Sequence, residues 1–525
     1  MNSYSILLLL PFPILTQTLP PILQTYFANG EPRRCLALLE HKSMLSAQRI
    51  SSLSLALSPR SQGPPSSSSS SSLVDNLSAI HLAAQCLFSL EQYSDCIHLL
   101  EPIVFFDRSD AAGITTAVER ARNSHGPNQS SQINIMASIY SIVGRCFDVL
   151  DNSPHAISAF IIAIRIDPAC IEVVDYISTN GLLSKTDRKA LFFDVLNLSG
   201  GHEWLEGYYR LQLLDDGTSE FRAEGVNHSS NLFRRAPPDS TNKAKDWSSE
   251  SCPSPMMLVR RAEHLFERHC PTDAYRLARQ AYTVDPFDSR GLIIYIATMV
   301  ELGLKTELFY LGHELANNYP KMAISWYAVG CYYFICKKLE LAQKYLQKST
   351  KINKRFAKAW IALGHVLAAQ EESEHAISAF RSASRLLPGD HRPLILMAKE
   401  LVRTNYLSLA LHILTAALQL SPKNAIVLNE IGVIYLKQND VHLALENLSA
   451  AVASIKSSEE ADDEAVMRSP AHGCAGEVYN NYATALRRSK RFDEALTLYQ
   501  LCLSLNPSDA GTHASIGFTL HLSQR

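Results

Sequence analysis

The sequence predicts an all-α solenoid, a row of helical hairpins stacked into a right-handed superhelix. Two observations predict it. Apolar residues return in the same arrangement every 34 residues, starting at Leu258, Leu292, Trp326, Trp360, Leu394 and Leu428. Within each interval the spacing is helical: an apolar residue at +3, usually a small one at +4, an apolar one at +7, usually alanine at +16, often a large apolar one at +20, a small one at +23 and proline at +28. Trp360 shows the whole pattern in Leu363, Gly364, Leu367, Ala376, Phe380, Ala383 and Pro388.

Each position has a physical reason. The +3, +4 and +7 residues share one helical face. Small residues at +4 and +16 let the two helices of a hairpin cross at short range, and the small residue at +23 does the same between hairpins. Pro286, Pro320, Pro388 and Pro422 each end a second helix, because proline lacks the N–H that a continuing helix needs. A hairpin of this kind cannot bury its apolar face alone, so the stack is the folding unit. The period and pattern are those of the tetratricopeptide repeat.

The register recurs outside the central block. Tyr140 begins a clear copy with Val143, Gly144, Phe147, Ala156, Phe160, Ala163 and Pro168, and Ile80 a weaker one with Ala84, Leu87, Cys96 and Leu100. Tyr479 begins another, 51 residues after Leu428, so 17 extra residues stand between them. His513 opens a last copy with Ile516, Gly517 and Leu520, and the chain stops inside it, so this array is expected to be cut short. The expected organisation is an atypical N-terminal segment over residues 1–57, a degraded first repeat, then a Ser/Pro-rich disordered linker over 58–75 and an N-terminal array over 76–214. A polar linker over 215–254 and a C-terminal array over 255–525, with a loop insertion near 457–475, complete it. The apolar run Ser5 to Leu15 resembles the core of a secretion signal, but no basic residue precedes Arg33 and prolines at 11, 13, 20 and 21 break it. It is too short and broken for a membrane span.

Composition fits this picture. The 525 residues are 46% hydrophobic with a formal charge of −2, which suits a helical protein with ample core and argues against nucleic acid as the main partner. No stretch reads as a dense Lys/Arg footprint. The eleven cysteines contain no C-x-x-C pair, so reduced, buried thiols are expected rather than disulfides or a zinc site. No phosphate-binding glycine loop, G-x-S-x-G or H-E-x-x-H occurs, and no catalytic residue, metal ligand or cofactor is assigned. The acidic run Glu459 to Glu464 reads as a solvated loop, and Ser469-Pro470 and Ser254-Pro255 offer weak proline-directed phosphorylation sequences.

Function in such a stack belongs to its concave side. On each first helix the residues at −2, +1 and +5 are expected to face inward. From these positions the candidate partner groove contains Tyr327, Lys358, His365, Arg392, Lys399, Asn429 and Asn480, a mixed wall of apolar, amide and basic groups. Asparagine amides can serve both backbone groups of a bound peptide. The +5 residues include no asparagine, so the carboxylate clamp of chaperone-binding repeats is not formed.

Three strings are more particular than the repeat requires: Glu307-Leu308-Phe309-Tyr310-Leu311 through Ser325-Trp326-Tyr327-Ala328-Val329-Gly330-Cys331-Tyr332-Tyr333, Ala359 through His365, and Glu430-Ile431-Gly432-Val433. They resemble subunit 6 of the anaphase-promoting complex, the cell-division-cycle sixteen type, over about Asn134 to Phe518. The two ends of the chain depart from that family. The resemblance implies a non-catalytic scaffold, nuclear and cytoplasmic, in a ubiquitin ligase of mitosis. It also implies a homodimer through the N-terminal repeats and a C-terminal groove that holds the N-terminal segment of a small accessory subunit. By position, Lys358, His365, Arg392, Lys399, Asn429 and Asn480 would line that groove. Neither a membrane nor nucleic acid is an expected partner. The alternative is a repeat adaptor of another multiprotein assembly, in transport, cilia or chaperone pathways.

Overall fold

The computed structural model describes residues 67–101, 135–198, 255–267, 270–422, 424–460, 473–505 and 507–523, with isolated positions between 32 and 39 and between 208 and 213. The described residues contain helices and no strand. They form two compact units, one from residues 1–183 and 187–213, the other from 184–186 and 214–525. The apolar N-terminal run, the linker over 215–254, Ser254 and Ser469 lie outside the described residues. No described helix is long and apolar enough to cross a membrane.

In the first unit, helix α1 (Ser67–Ser89) and helix α2 (Tyr93–Leu100) both pack on α3 (Ile135–Val149), which pairs with α4 (Ser153–Ile166). Helices α5 (Ile171–Thr179) and α6 (Lys185–Leu198) follow. Ile80, Ala84, Cys96 and Leu100 are buried, as are Val143, Phe160 and Ala163. One expectation is corrected here. The serine run, read as disordered linker through residue 75, is helical from Ser67 onward. Serine is a poor helix former, but extending a helix already nucleated by the apolar residues after Ser72 orders only one residue per hydrogen bond gained.

The second unit is built of hairpins in chain order. They are α7 (Pro255–Glu267) with α8 (Pro271–Val284), α9 (Ser289–Glu301) with α10 (Lys305–Asn318), and α11 (Ala323–Ile335) with α12 (Leu339–Ile352). Next come α13 (Ala357–Ala369) with α14 (Ser373–Leu386), α15 (Arg392–Arg403) with α16 (Leu407–Leu420), and α17 (Ala425–Gln438) with α18 (Val441–Glu460). The last are α19 (Gly473–Arg488) with α20 (Phe492–Leu505), then α21 (Ala510–Ser523) alone. Each helix packs on the next, and a single apolar core runs unbroken from Leu258 to Ile434. The insertion expected near 457–475 is partly helical: α18 continues to Glu460 and α19 starts at Gly473.

The short crossing inferred from the sequence has a direct measure. A Cβ added at Gly144, Gly330, Gly364 or Gly432 would lie 2.4–2.6 Å from the side chain at +20 of the same hairpin, Phe160, Leu346, Phe380 or Leu448. Ala376 at +16 and Ala383 at +23 have no exposed surface.

Two further regularities were not legible in the sequence. The turn inside the hairpin places residue +11 in the left-handed region: Glu91, Asp151, Lys337, Glu371, Asn405, Asn439 and Lys490, with φ between 58° and 68°, and Gly303. The following N–H then reaches back to the first helix, as Glu372 does to the Leu367 carbonyl at 3.0 Å. A left-handed residue lets the chain reverse while satisfying the helix's last carbonyls. These bonds offset the roughly 1–2 kcal/mol that a residue with a side chain costs there. Second, a basic residue at +9 donates to the backbone carbonyl at +8 of the preceding first helix. Arg403 reaches Ala368, Lys437 reaches Val402 and Arg488 reaches Leu436. These rungs tie successive first helices along one rim.

Replacing Ala376 by glutamate should destabilise the array by several kcal/mol, on the order expected for an unpaired buried carboxylate. An unchanged melting curve would place residue 376 on the surface. Gly364→Ala should cost roughly 1–3 kcal/mol by overpacking against Phe380. Gly476→Ala, where a Cβ meets nothing within 4 Å, should instead gain up to about 1 kcal/mol of helix propensity. Urea denaturation of the two variants checks both signs.

Candidate functional site: the inward wall of the second unit

The second unit curves enough to bring distant hairpins together. Glu267, at the end of α7, pairs with Arg392, at the start of α15, at 3.4 Å. Four hairpin steps separate their helices, so this contact crosses the concave side. It identifies the −2 position as inward-facing, and Glu263, at +5, faces the −2 residue Lys358 on the same side.

A charged cluster occupies that side. Arg290, at the −2 position of its hairpin, grips Glu263 with two hydrogen bonds of 2.8 Å, and Arg260 adds a third at 3.0 Å. Burial pushes the Glu263 carboxyl up, but the two guanidinium groups outweigh it and hold the group below its usual range. Arg392 holds Asp390 through Nη2 and Nε, at 2.8 and 2.9 Å, while the same Nη2 also reaches Glu267. Asp390 is 10% exposed; burial raises its pKa and Arg392 overcomes that, leaving it far below the carboxylate range.

Lys358 stands among these groups. Arg392 beside it lowers its pKa most and burial adds to this, while Asp390, Glu263 and Glu267 oppose both. Four cations (Arg260, Arg290, Lys358 and Arg392) face three carboxylates (Glu263, Glu267 and Asp390). Lys358 is the one of the four without an ion pair within 4 Å among the described residues.

Further along the wall, Lys399 pairs with Glu430 at 3.2 Å. Burial raises the Glu430 carboxyl, against the pull of Lys399. His365 is open to solvent, yet protein surrounds it at longer range. That enclosure, and then Lys399, lower its pKa, so the neutral ring is favoured. Its ring meets the edge of Phe380 at 5.6 Å between centroids.

Of the seven residues expected in the groove, the structure gathers Lys358 and Arg392 in one cluster, and His365 and Lys399 in another. Asn480 is half-buried and donates to the Thr512 hydroxyl at 3.5 Å. Two of the seven are not available as handles. Tyr327 is buried against Phe356, and Asn429 is buried with its oxygen accepting from Asn481 at 2.9 Å. Both occupy the +1 position, which overlies the joint with the next hairpin, so a large side chain there fills the joint instead of facing the groove. Ile324, Cys331 and Ile395, also expected inward, are buried as well. Sequence reasoning missed Glu267 and Asp390, at +9 and −4. Glu267 meets Arg392 only once the stack has curved, whereas Asp390 caps Arg392 locally, two residues before it.

Removing Arg392 should leave Asp390 buried without its partner. Arg392→Ala is expected to cost about 1–3 kcal/mol in urea denaturation, the range for an orphaned buried partner. His365 gives a pH signature. Its native pKa lies below the ordinary 6.5, so the unfolded chain binds the proton more readily and stability falls as pH drops through that value. The melting temperature of the wild type should therefore fall more between about pH 7 and pH 5.5 than that of His365→Gln. Glu430, with a raised carboxyl, acts in the opposite direction and is common to both proteins.

Tetratricopeptide repeat family models match residues 323–356, 395–460 and 476–509. Anaphase-promoting complex subunit 6 of Arabidopsis thaliana is 26% identical over 452 residues, covering 84% of this chain and 78% of that protein. The cell division cycle protein 16 homolog of Homo sapiens is 28% identical over 450 residues, covering 83% and 67%. Among solved structures, the crystal structure of the APC/C hetero-tetramer Cut9–Hcn1 superposes with a TM-score of 0.62 at 22% identity, covering 96% of this chain and 83% of that one. The last likeness is one of fold. This chain carries tetratricopeptide repeats and is similar, across most of its length, to subunit 6 of the anaphase-promoting complex and to Cdc16 proteins.

Proposed function

We propose that this protein is a scaffold subunit of an anaphase-promoting complex, a cell-cycle ubiquitin ligase, and holds other subunits through its stacked repeats without performing catalysis itself. The similarity to subunit 6 proteins over 83–84% of the chain carries this reading. The repeats occupy most of the described residues, which supports a holding role. In the second unit the inward wall receives a segment of a small accessory subunit. An enclosed peptide needs both apolar area and donors for its backbone carbonyls; Lys358, His365 and Lys399 supply donors on this side, and half-buried Val433, at +5, supplies apolar area. The uncompensated charge of Lys358 favours a segment that brings a carboxylate or a row of carbonyl oxygens to it. Self-association through the N-terminal repeats, and residence in nucleus and cytoplasm, belong to the same reading.

Affinity purification of the tagged full chain from dividing cells, with mass spectrometry of what accompanies it, tests the assembly. Cullin-like and RING subunits are expected in stoichiometric amounts. Recovery of a transport or ciliary complex in their place would reject the reading. Titration calorimetry of the full chain with the accessory subunit's N-terminal peptide tests the groove. Lys358→Glu should weaken binding by roughly 1–3 kcal/mol, the range for breaking a desolvated charged hydrogen bond, with helicity unchanged.

A further inference from the structure

Helix α12 differs from its counterparts at positions the repeat leaves free. The outward-facing +18, +22 and +25 residues are Lys344, Lys348 and Lys351, all exposed. The same positions carry Tyr310, Glu314 and Asn317 in α10, His412, Ala416 and Gln419 in α16, and Glu446, Ala450 and Ala453 in α18. Between residues 337 and 355 there are seven basic residues (Lys337, Lys338, Lys344, Lys348, Lys351, Lys354 and Arg355) against one acid, Glu340. The expectation that no stretch forms a dense basic footprint is thereby corrected: an unremarkable total charge concealed a local one. Lys344, Lys351 and Lys354 make no ion pair among the described residues. Lys348 lies over the Trp326 ring, 3.1 Å from its centroid, and that ring stacks on Tyr345.

A second feature adjoins the N-terminal end of α12. A cavity of about 430 Å³ is lined by Val300, Phe334, Ile335, Lys337, Leu339 and Ala369. Its position on the rim explains it. At the three later joints on this rim a basic residue at +9 forms a rung to the preceding helix. Here Ile335 and Ala369 hold the +9 positions, so no rung fills the gap and apolar walls remain. Lys337 belongs to both features.

We propose that this outer face docks an acidic peptide segment of a partner protein that carries one bulky apolar residue. The apolar residue enters the cavity, and the carboxylates that follow it lie along Lys344, Lys348 and Lys351. Charge complementarity selects an acidic ligand, and the apolar cavity selects a peptide, since a phosphate chain has nothing to place there. The surface lies outside the inward wall and does not depend on what that wall holds.

Fluorescence anisotropy on the full chain tests the proposal, with a labelled peptide of one leucine leading a run of glutamates as the probe, at about 0.1 M salt. The peptide should bind. Lys344→Glu/Lys348→Glu/Lys351→Glu should weaken it roughly tenfold or more, equivalent to a few surface pairs made repulsive. The Lys→Gln triple variant should weaken it less, and serves if charge reversal impairs folding. Ala369→Phe, which fills the cavity from an exposed position, and a probe with glycine in place of leucine should each lower affinity severalfold. Three results would overturn the proposal: no binding of the peptide, equal affinity in variants that melt as the wild type does, or an oligothymidylate of the same charge binding as tightly as the peptide.

Discussion

The architecture depends on one close fit between the residues at +4 and +20 of a hairpin, one of them small, and in four hairpins a glycine at +4 lies under a large +20 side chain. With 2.4 Å between an added Cβ and the Phe380 ring, Gly364 has no room for even a methyl group. That fit sets how near the two helices of a hairpin approach and how they cross. Repeated along the chain, the same crossing makes each hairpin a similar wedge, and stacked wedges curve. The curvature brings Glu267 to Arg392 and creates an inward wall. The site is therefore a product of packing inside each hairpin rather than of any motif within the wall itself.

The charges on that wall are mostly spent on one another. Glu263 is held by two guanidinium groups, and Arg392 by two carboxylates, one of them from the far side of the arc. Such pairing offsets the desolvation that enclosure imposes, and it removes most of the residues that a partner could otherwise claim. What remains is a small asymmetry, a lysine whose nearest strong neighbour has the same sign. In a narrow space lined with satisfied ion pairs, a single unsatisfied charge directs recognition more than a long array of solvated ones would.

The periodic part of this protein was readable because hydrophobic spacing, small residues and prolines each report a local requirement. Leu258, Trp326 and Tyr479 begin helices' buried faces where the register put them, and Ala376 is fully enclosed. The hairpin turns were less readable, since glutamate, aspartate, lysine and asparagine all occupy the left-handed +11 position and only Gly303 advertises it. Tyr327 and Asn429 were placed on the right side of their helices but assigned to the wrong space, because the joint between hairpins takes the +1 side chain. Contacts between hairpins four steps apart left no trace in the sequence; the basic run of α12 stands in it, but a total charge near neutral averaged it away. The helical start at Ser67 escaped for a related reason: propensity describes a residue alone, whereas a helix end is decided by what it extends.

The rim rungs have a consequence for how such a chain can grow. Arg403 and Lys437 each reach back 35 residues, whereas Arg488 reaches back 52 to the equivalent carbonyl. The bond is the same although 17 more residues intervene. Structural phase in this solenoid is thus carried by the rungs and not by the count of residues. Chain inserted beyond the end of a second helix adds length without advancing phase. A lineage could acquire new sequence at that point, acidic here, while the inward wall on either side keeps its alignment.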